Sequence, residues 1–236
     1  MGKIFMVRHG QASFGKKNYD NLSEKGREQS RILAEYMIRT GISFQAVYTG
    51  ELLRQKDTAG EVIQSYRAHG LTIPDIQILP EFNEYRSREI MMAYMHDVAQ
   101  EDPDLQAAIG NLYEDRKAFG RLFKKVMLRW VSGEAEKPDV VSWRDFRDGV
   151  RSGMRKVMAV CGLGDNVLIC SSGGAISAAV QMALDLSNEK AFGIAWHIVN
   201  TSVTTFAYND GQLALASFNQ QAHLDLVNHA DWVTYW

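Results

Sequence analysis

Three short segments of the 236-residue chain carry groups that bind or attack phosphate. Arg8 and His9 are adjacent near the start, Arg54 follows later, and residues 171–174 read Ser-Ser-Gly-Gly. Guanidinium groups match phosphate oxygens, and the free N–H groups at the start of a helix favour an anion. A histidine inside such a cluster either attacks phosphorus directly or donates a hydrogen bond to a bound anion. These residue types predict a phosphate site, with both roles of the histidine open.

Short, mostly apolar runs precede these segments and predict the strands that position them. The runs are residues 3–7, 44–48 and 166–170. The last is fully apolar after its first residue, which is typical of a central parallel strand. Because ligands of open α/β sheets bind beyond the carboxyl ends of the strands, we expect the three segments to meet there.

The other sequence patterns alternate helices with strands. Helical patterns cover residues 23–40, 50–66, 142–161 and 171–186, and Ser23 is a candidate cap for the first. Extended patterns cover residues 76–79, 202–208 and 212–218, the last two joined by the hairpin signal Asn-Asp-Gly. This alternation predicts an α/β fold, a three-layer α/β/α arrangement with a mostly parallel mixed sheet and an antiparallel edge.

Residues 83–138 break this alternation and are helical in character, most clearly at residues 117–130. That helix has an apolar stripe on one side. Its opposite face is either a solvated basic surface or a lid that attracts anionic substrates. We expect one domain over residues 1–236, with residues 83–138 as a helical cap over the active site. The basic residues of the face are Arg121, Lys124, Lys125 and Arg129.

The composition narrows the functional class. A formal net charge of −2 argues against a nucleic-acid binder, which is usually basic. The six histidines are scattered, and Cys161 and Cys170 are expected to be buried free thiols, so no metal site is indicated. We find neither a secretory segment nor an apolar run long enough to cross a membrane, and we expect a cytoplasmic protein with no membrane partner.

Several motifs in order along the chain resemble the histidine phosphatase (phosphoglycerate mutase-like) superfamily. Arg-His-Gly at residues 8–10 follows the first predicted strand, which is the hallmark of that family. The resemblance continues through residues 22–26 (Leu-Ser-Glu-Lys-Gly), 47–54 (Val-Tyr-Thr-Gly-Glu-Leu-Leu-Arg), 79–81 (Leu-Pro-Glu) and 219–224. It spans nearly the whole chain.

The resemblance implies a role for each matched residue. His9 would form a phosphohistidine, while Arg8 and Arg54 would hold the phosphoryl oxygens. Glu81 would be the general acid that protonates the leaving oxygen and later the base for water, with Glu84 as a less well aligned competitor. No metal and no organic cofactor is implied, because the phosphohistidine route needs none.

The chain departs from the family pattern in two places. Ser172 stands where the family has a second histidine, and losing such a donor commonly costs on the order of a hundredfold in rate. His223 either fills that space or stabilises the fold. The family often has an Asn six positions after its nucleophile, where this chain has Gly15, and the substitutes considered are Ser13, Lys16, Lys17 and Asn18. The candidate phosphate-binding residues are Gly10, Ser13, Ser172 and Gly173.

We therefore favour a phosphoric monoester hydrolase that acts through a phosphohistidine on a small phosphorylated substrate. The alternative is a non-catalytic relative that binds a phosphorylated ligand or a protein partner, and a phosphoglycerate-type mutase is a third reading. The aromatic tail, with Trp232, Tyr235 and Trp236, is expected to dock on its own chain or to form a homodimer seam.

Overall fold

The computed structural model describes residues 1–13, 20–108, 115–209, 211–227 and 229–235. Within these ranges, strands form one six-stranded sheet in the order β3-β2-β4-β1-β5-β6. The first four strands of that order run parallel, and β5 and β6 add an antiparallel edge. The predicted mixed, mostly parallel sheet is confirmed. The strands are β1 Gly2–Arg8, β2 Ala46–Thr49, β3 Ile76–Ile78, β4 Asn166–Ser171, β5 Val203–Asn209 and β6 Gln212–Gln220.

The helices agree with the sequence patterns to within a few residues. Ser23 caps the first helix, where its side chain accepts from the N–H of Gly26. An unpredicted helix follows Ser187, and a 3-10 turn covers Pro80–Phe82. The helices are α1 Glu24–Arg39, α2 Leu53–Ala68, α3 Ser87–Gln100, α4 Pro103–Ala108, α5 Arg116–Ser132, α6 Trp143–Val160, α7 Gly173–Leu184, α8 Asn188–Ala195, α9 Ala222–Asp225 and α10 His229–Trp232.

Alternating side chains of the central strands build two cores, one on each face of the sheet. In β4, Val167 and Ile169 pack with α6 and α7, whereas Leu168 and Cys170 pack with α1 and α2. This period-two alternation of apolar residues on both faces requires helices on both sides. The result is the predicted three-layer α/β/α arrangement. Both cysteines are free thiols, as expected, but only Cys170 is fully buried and Cys161 is partly exposed. Burial raises the pKa of both.

A third core lies where α3 and α5, within residues 83–138, pack against α6 and α8. Its large side chains include Trp130 and Trp143, whose rings meet edge to face at 5.4 Å between centroids. The basic face of α5 is largely neutralised by acidic residues at the α3–α4 junction. Lys125 pairs with Asp102 at 2.7 Å, and Arg121 and Arg129 pair with acidic residues there as well. A charge-compensated surface therefore describes most of this face better than an attracting lid.

The C-terminal segment docks on its own chain, which was one of the two expectations. The Asn200 N–H donates to the carbonyl of Thr234 at 2.9 Å, and the Gln29 amide donates to the carbonyl of Trp232 at 2.7 Å. Trp236 lies outside the described residues, and a homodimer stays a prediction. Across the described ranges, no helix has the length and apolar character needed to span a membrane.

Candidate active site

His9 follows the central strand β1 and is held by the ends of its two neighbouring strands. Its N–H donates to the carbonyl of Ser171 at 2.8 Å, at the end of β4. Its carbonyl accepts from the side chain of Asn200 at 2.9 Å, just before β5. The imidazole is only 5% exposed. Two parts of the chain far apart in sequence thus fix this one residue at the carboxyl edge of the parallel strands.

Two hydrogen bonds define which ring nitrogen of His9 carries the proton. Nδ1 lies 2.8 Å from the carbonyl oxygen of Gly10, which only accepts, so Nδ1 is the protonated nitrogen. Nε2 accepts from Nε of Arg54 at 3.1 Å, so it presents a lone pair. Burial, together with the positive charges of Arg54 and Arg8, lowers the pKa of His9 well below 6.5. The ring is therefore neutral and its Nε2 is nucleophilic.

Gly10 allows the His9 loop to pack directly on α1. A Cβ atom at Gly10 would lie 2.3 Å from the carbonyl oxygen of Gly26, so only glycine fits. The Gly10 N–H donates to the hydroxyl of Thr58 at 3.0 Å, and the hydroxyl of Ser13 donates to the carbonyl of Leu22 at 3.1 Å. Gly10 and Ser13, predicted to bind phosphate, thus use these groups to hold the loop. Residues 15–18, the site of the other departure, lie outside the described residues.

Arg54 lies at the start of α2 and is oriented by Asp20. One Asp20 carboxylate oxygen accepts from the Arg54 guanidinium at 2.7 Å, and the other accepts from the Leu53 N–H at 2.8 Å. The Asp20 carboxylate therefore accepts from an N–H group at the start of α2 and also orients the Arg54 guanidinium. Arg8 approaches from the other side, where its guanidinium donates to the carbonyl oxygens of Ile198 and Tyr235.

Glu84, and not Glu81, lines the cavity that contains His9. Glu81 lies on the 3-10 turn and forms an ion pair with Lys156, whose hydrogen bond lowers the Glu81 pKa. Glu84 lines the same cavity as His9, and its carboxylate accepts from the Gly174 N–H at 3.0 Å. Burial raises the pKa of Glu84 above 4.5, which favours its protonated form. Of the two carboxyls considered from the sequence, the structure thus places Glu84 at the cavity of His9 and Glu81 outside its lining, and the role of each stays a prediction.

Contacts among neighbouring elements explain why the nearer carboxyl is Glu84. The buried Phe82 anchors the end of the 3-10 turn, and its carbonyl accepts from Gln55 at 3.0 Å and from the Ser171 hydroxyl at 2.7 Å. Gly174 leaves the space that Glu84 occupies, since a Cβ atom there would lie 2.1 Å from a Glu84 carboxylate oxygen. The second glycine of residues 171–174 is therefore required by the approach of this carboxyl.

Ser172 is directed away from the cavity. It is 1% exposed, and its hydroxyl accepts from the Gln55 side chain at 2.9 Å. Ser172 precedes α7 without capping it through its side chain, whereas Gly173, the first residue of that helix, lines the cavity. Of the predicted phosphate-binding residues, the structure thus places Gly173 at the cavity and uses Ser172 to hold Gln55.

The cavity has a volume of about 130 Å³ and joins a charged floor to an aromatic wall. Arg8, His9, Arg54 and Glu84 form the floor. The wall includes four aromatic residues that sequence reasoning did not assign to the site, contributed by the cap, the segment after α8 and the C-terminal tail. In the described ranges, no three His, Cys, Asp or Glu side chains group to hold a metal ion. The wall residues are Tyr85, Phe123, Trp196 and Tyr235.

A known protein family matches most of this sequence. The family model described as histidine phosphatase superfamily (branch 1) matches residues 4–133 and 113–221, which together cover most of the chain. The chain belongs to the histidine phosphatase superfamily. His9, Arg8 and Arg54 lie within the matched residues, as does Glu84.

Solved structures share the fold of this chain at low sequence identity. Bacillus stearothermophilus YhfR matches with a TM-score of 0.64 and 17% identity over 95% of this chain and 100% of its own. A phosphoserine phosphatase from Entamoeba histolytica matches at 0.61 and 17%, over 95% and 100% of the two chains. A phosphoglycerate mutase from Bacillus anthracis matches at 0.61 and 17%, over 94% and 95%. A phosphoserine phosphatase and a phosphoglycerate mutase are therefore both among the structures with this fold.

His223 lies inside the fold, away from the active-site cavity. It is buried, its Nε2 lies 3.1 Å from the Thr201 hydroxyl, and its ring packs near Tyr36. Burial lowers the pKa of His223 to about 4, so it is neutral near pH 7. It does not line the cavity formed by the described residues. His223 therefore does not occupy the space of the family's second histidine.

Proposed function

We propose that this histidine phosphatase hydrolyses small phosphoric monoesters through a phosphohistidine on Nε2 of His9. The observation that carries the proposal is the tautomer of His9, whose Nε2 lone pair accepts from Arg54 in a cavity that Arg8 and Glu84 also line. Burial raises the pKa of this Glu84 carboxyl. A nucleophile, a pair of cations for the phosphoryl oxygens and a proton donor are the groups that phosphoryl transfer to a protein side chain needs.

The first half of the reaction forms the phosphoenzyme. The phosphoryl group displaces the Arg54 guanidinium from Nε2, and Arg54 and Arg8 then bind its oxygens. Nε2 attacks phosphorus in line with the ester oxygen, so that the N–P bond forms as the P–O bond breaks. Glu84, protonated at the start, gives its proton to the departing oxygen. The Gly10 carbonyl accepts from Nδ1 throughout and stabilises the positive charge that develops on the ring.

The second half returns the enzyme to its starting state. Water attacks phosphorus from the side that the leaving group vacated, and the Glu84 carboxylate takes its proton. The N–P bond breaks, inorganic phosphate leaves, and Glu84 is again protonated. No metal or organic cofactor enters either half.

A second candidate is a binding protein without turnover, and the position of Ser172 favours it. The family's second histidine is absent, and the serine that replaces it hydrogen-bonds to Gln55 outside the cavity. In that case the two arginines would hold a phosphorylated ligand and His9 would stay unmodified. The two candidates differ in one observable, the covalent N–P bond.

The deciding experiment measures that bond and the turnover together. Wild type and His9→Ala are assayed with phenyl phosphate without added metal, and the protein is quenched in alkali for phosphohistidine, which is acid-labile. We expect turnover and a phosphohistidine in wild type and neither in His9→Ala. Tight phosphate binding by wild type, with no turnover and no phosphohistidine across several esters, would establish the binding protein instead.

A further inference from the structure

A second groove lies beside the active-site cavity, between α5 and α8. Its volume is about 460 Å³, larger than the 130 Å³ of the cavity that contains His9. The two share Trp196 as a wall residue, so the groove begins where the aromatic wall of the active site ends. The groove is lined by Gly120, Lys124, Leu128, Phe192, Gly193, Trp196 and His197.

Two glycines keep this groove wide. Gly120 lies inside α5 and Gly193 inside α8, where glycine destabilises a helix relative to alanine. A Cβ atom at either position would meet nothing within 4 Å, so close packing does not require glycine at either one. Larger side chains at these positions would instead extend into the groove. The two helices thus have an unfavourable residue at the points where a side chain would narrow it.

Aromatic rings connect the groove to the phosphate end of the active site. Phe123 and Trp196 both line the active-site cavity, and their rings meet edge to face at 5.6 Å between centroids and 88°. Phe192, on the groove side, contacts Trp196 with the same edge-to-face geometry at 5.6 Å. Trp196 therefore contacts one aromatic residue of the cavity lining, Phe123, and one of the groove lining, Phe192.

We propose that this groove is a subsite for the leaving group of the substrate, and that it takes a flat apolar group longer than a single ring. This inference rests on the proposed function, because it assigns the far end of the ester whose phosphoryl group His9 attacks. The phosphoryl group lies between the arginines, the ester oxygen faces Glu84, and the leaving group passes Phe123 and Trp196 into the groove. Aromatic faces and edges favour a flat apolar partner in this position.

The test compares two esters that differ in length but not in chemistry. Phenyl phosphate and biphenyl-4-yl phosphate release phenols of similar acidity, so their intrinsic reactivity is matched. We expect wild type to show a kcat/KM about tenfold higher for the biphenyl ester, the size of effect that apolar pocket contacts give. Gly193→Leu should bring that ratio close to one.

Gly149→Leu is the matched control. Gly149 lies inside α6, where an added Cβ atom also meets nothing within 4 Å, and it lines neither cavity. It should keep the wild-type ratio. Equal kcat/KM for the two esters in wild type, or an unchanged ratio in Gly193→Leu, would overturn the subsite. A shift of Gly193→Leu from dimer to monomer in sedimentation, with an unchanged ratio, would assign the groove to a second copy of the chain and overturn it as well.

A binding measurement separates this inference from the proposed function. Phenylphosphonate and biphenyl-4-ylphosphonate are not hydrolysed, and calorimetry gives their affinities whether or not the protein turns over. If neither ester is hydrolysed but the biphenyl phosphonate binds about tenfold more tightly, and Gly193→Leu removes that difference, the subsite stands and the phosphatase proposal fails. Equal affinities for both phosphonates overturn the subsite.

Discussion

Nε of Arg54 donates a hydrogen bond of 3.1 Å to Nε2 of His9, the nitrogen that attacks phosphorus in the proposed reaction. The arginine thereby fixes the reactive tautomer and contributes to the lowered pKa of the histidine. An incoming phosphoryl group offers the guanidinium a negatively charged acceptor in exchange for a neutral one. Substrate binding therefore releases the lone pair in the same step that places phosphorus beside it.

Replacing Arg54 by methionine tests this coupling. We expect the pKa of His9 to rise towards 6.5, because one of the positive charges that lower it is removed, and kcat/KM to fall by about a hundredfold or more. NMR titration of the His9 ring measures the first effect and steady-state kinetics the second. Arg67→Met is the control, since Arg67 is an exposed arginine of α2 paired with Asp75. An unchanged His9 pKa in Arg54→Met would contradict the coupling.

Glu84→Gln and Glu81→Gln distinguish the two carboxyls. Glutamine at 84 cannot give a proton to the leaving oxygen, so we expect kcat to fall by about a hundredfold for an alkyl phosphate and by much less for 4-nitrophenyl phosphate. Glutamine at 81 only weakens a surface pair with Lys156 and should keep kcat within about threefold for both esters. The reverse ranking would return the acid role to Glu81.

The pH dependence of kcat/KM follows from the two shifted pKa values. His9 must be neutral, and its lowered pKa keeps it neutral well below pH 6.5. Glu84 must be protonated, and its raised pKa extends the protonated form to higher pH than an ordinary carboxyl. The profile should therefore have its maximum on the acid side of neutrality and fall as pH rises through the Glu84 pKa. In Glu84→Gln, assayed with 4-nitrophenyl phosphate, the part of that fall due to Glu84 should disappear.

Ser172→Ala separates a structural role from a phosphate-binding one. Alanine leaves the buried Gln55 amide without one of its acceptors, which is expected to lower the free energy of unfolding by about 1–2 kcal/mol. Because the hydroxyl lies outside the cavity, kcat should stay within about threefold. Ser177→Ala, which removes a buried hydroxyl within α7, is the control. A hundredfold loss of kcat in Ser172→Ala alone would show that the hydroxyl reaches the phosphoryl group.

His223 makes the stability of the fold depend on pH. Its pKa is about 4 in the folded chain and near 6.5 when unfolded, so the unfolded state binds more protons between these values. Its contribution is full above about pH 6.5 and is lost as pH falls to about 4. The largest loss is about 3 kcal/mol, since a tenfold change in proton affinity is worth about 1.4 kcal/mol.

Denaturant unfolding of wild type and His223→Gln across pH 4–7 measures this contribution. The variant should be less stable at pH 7 and should lose less stability on acidification. His69→Gln, which changes an exposed histidine at the end of α2, should follow the wild-type curve. Parallel curves for wild type and His223→Gln would contradict the assignment.

The sequence predicts where the strands end and that Arg8 and Arg54 lie near those ends, because both predictions depend on local patterns. The apolar run before Arg-His-Gly is strand β1 in this chain, and parallel strands bring their carboxyl ends together. The choice between Glu81 and Glu84 does not depend on local pattern. Three positions apart, they diverge because Glu81 lies on the 3-10 turn of Pro80–Phe82, whereas Glu84 lies beyond its end and accepts from the N–H of Gly174, ninety positions away.

The sequence also gives no local signal that the aromatic residues of the cavity lining belong to the site. Trp196 ends α8, a helix of eight residues that is too short for apolar periodicity to show. Tyr85 joins an aromatic cluster with Trp130 and Phe146, and Phe123 reads as one more apolar residue of the α5 stripe. Each has the signature of a core residue, and its place in the cavity lining depends on tertiary packing that the local sequence does not show.

Because β1 lies in the middle of the sheet, its position determines how late in synthesis the sheet can form. β1 leaves the ribosome first, but its partners in the sheet, β4 and β5, begin at residues 166 and 203. The nascent strand that leads to His9 therefore stays without both neighbours until most of the chain has been made, and such long-range pairing is slow. The apolar residues of β1 need shielding for that whole interval, so yield in the cell should respond more strongly to chaperone supply than the stability of the finished fold suggests.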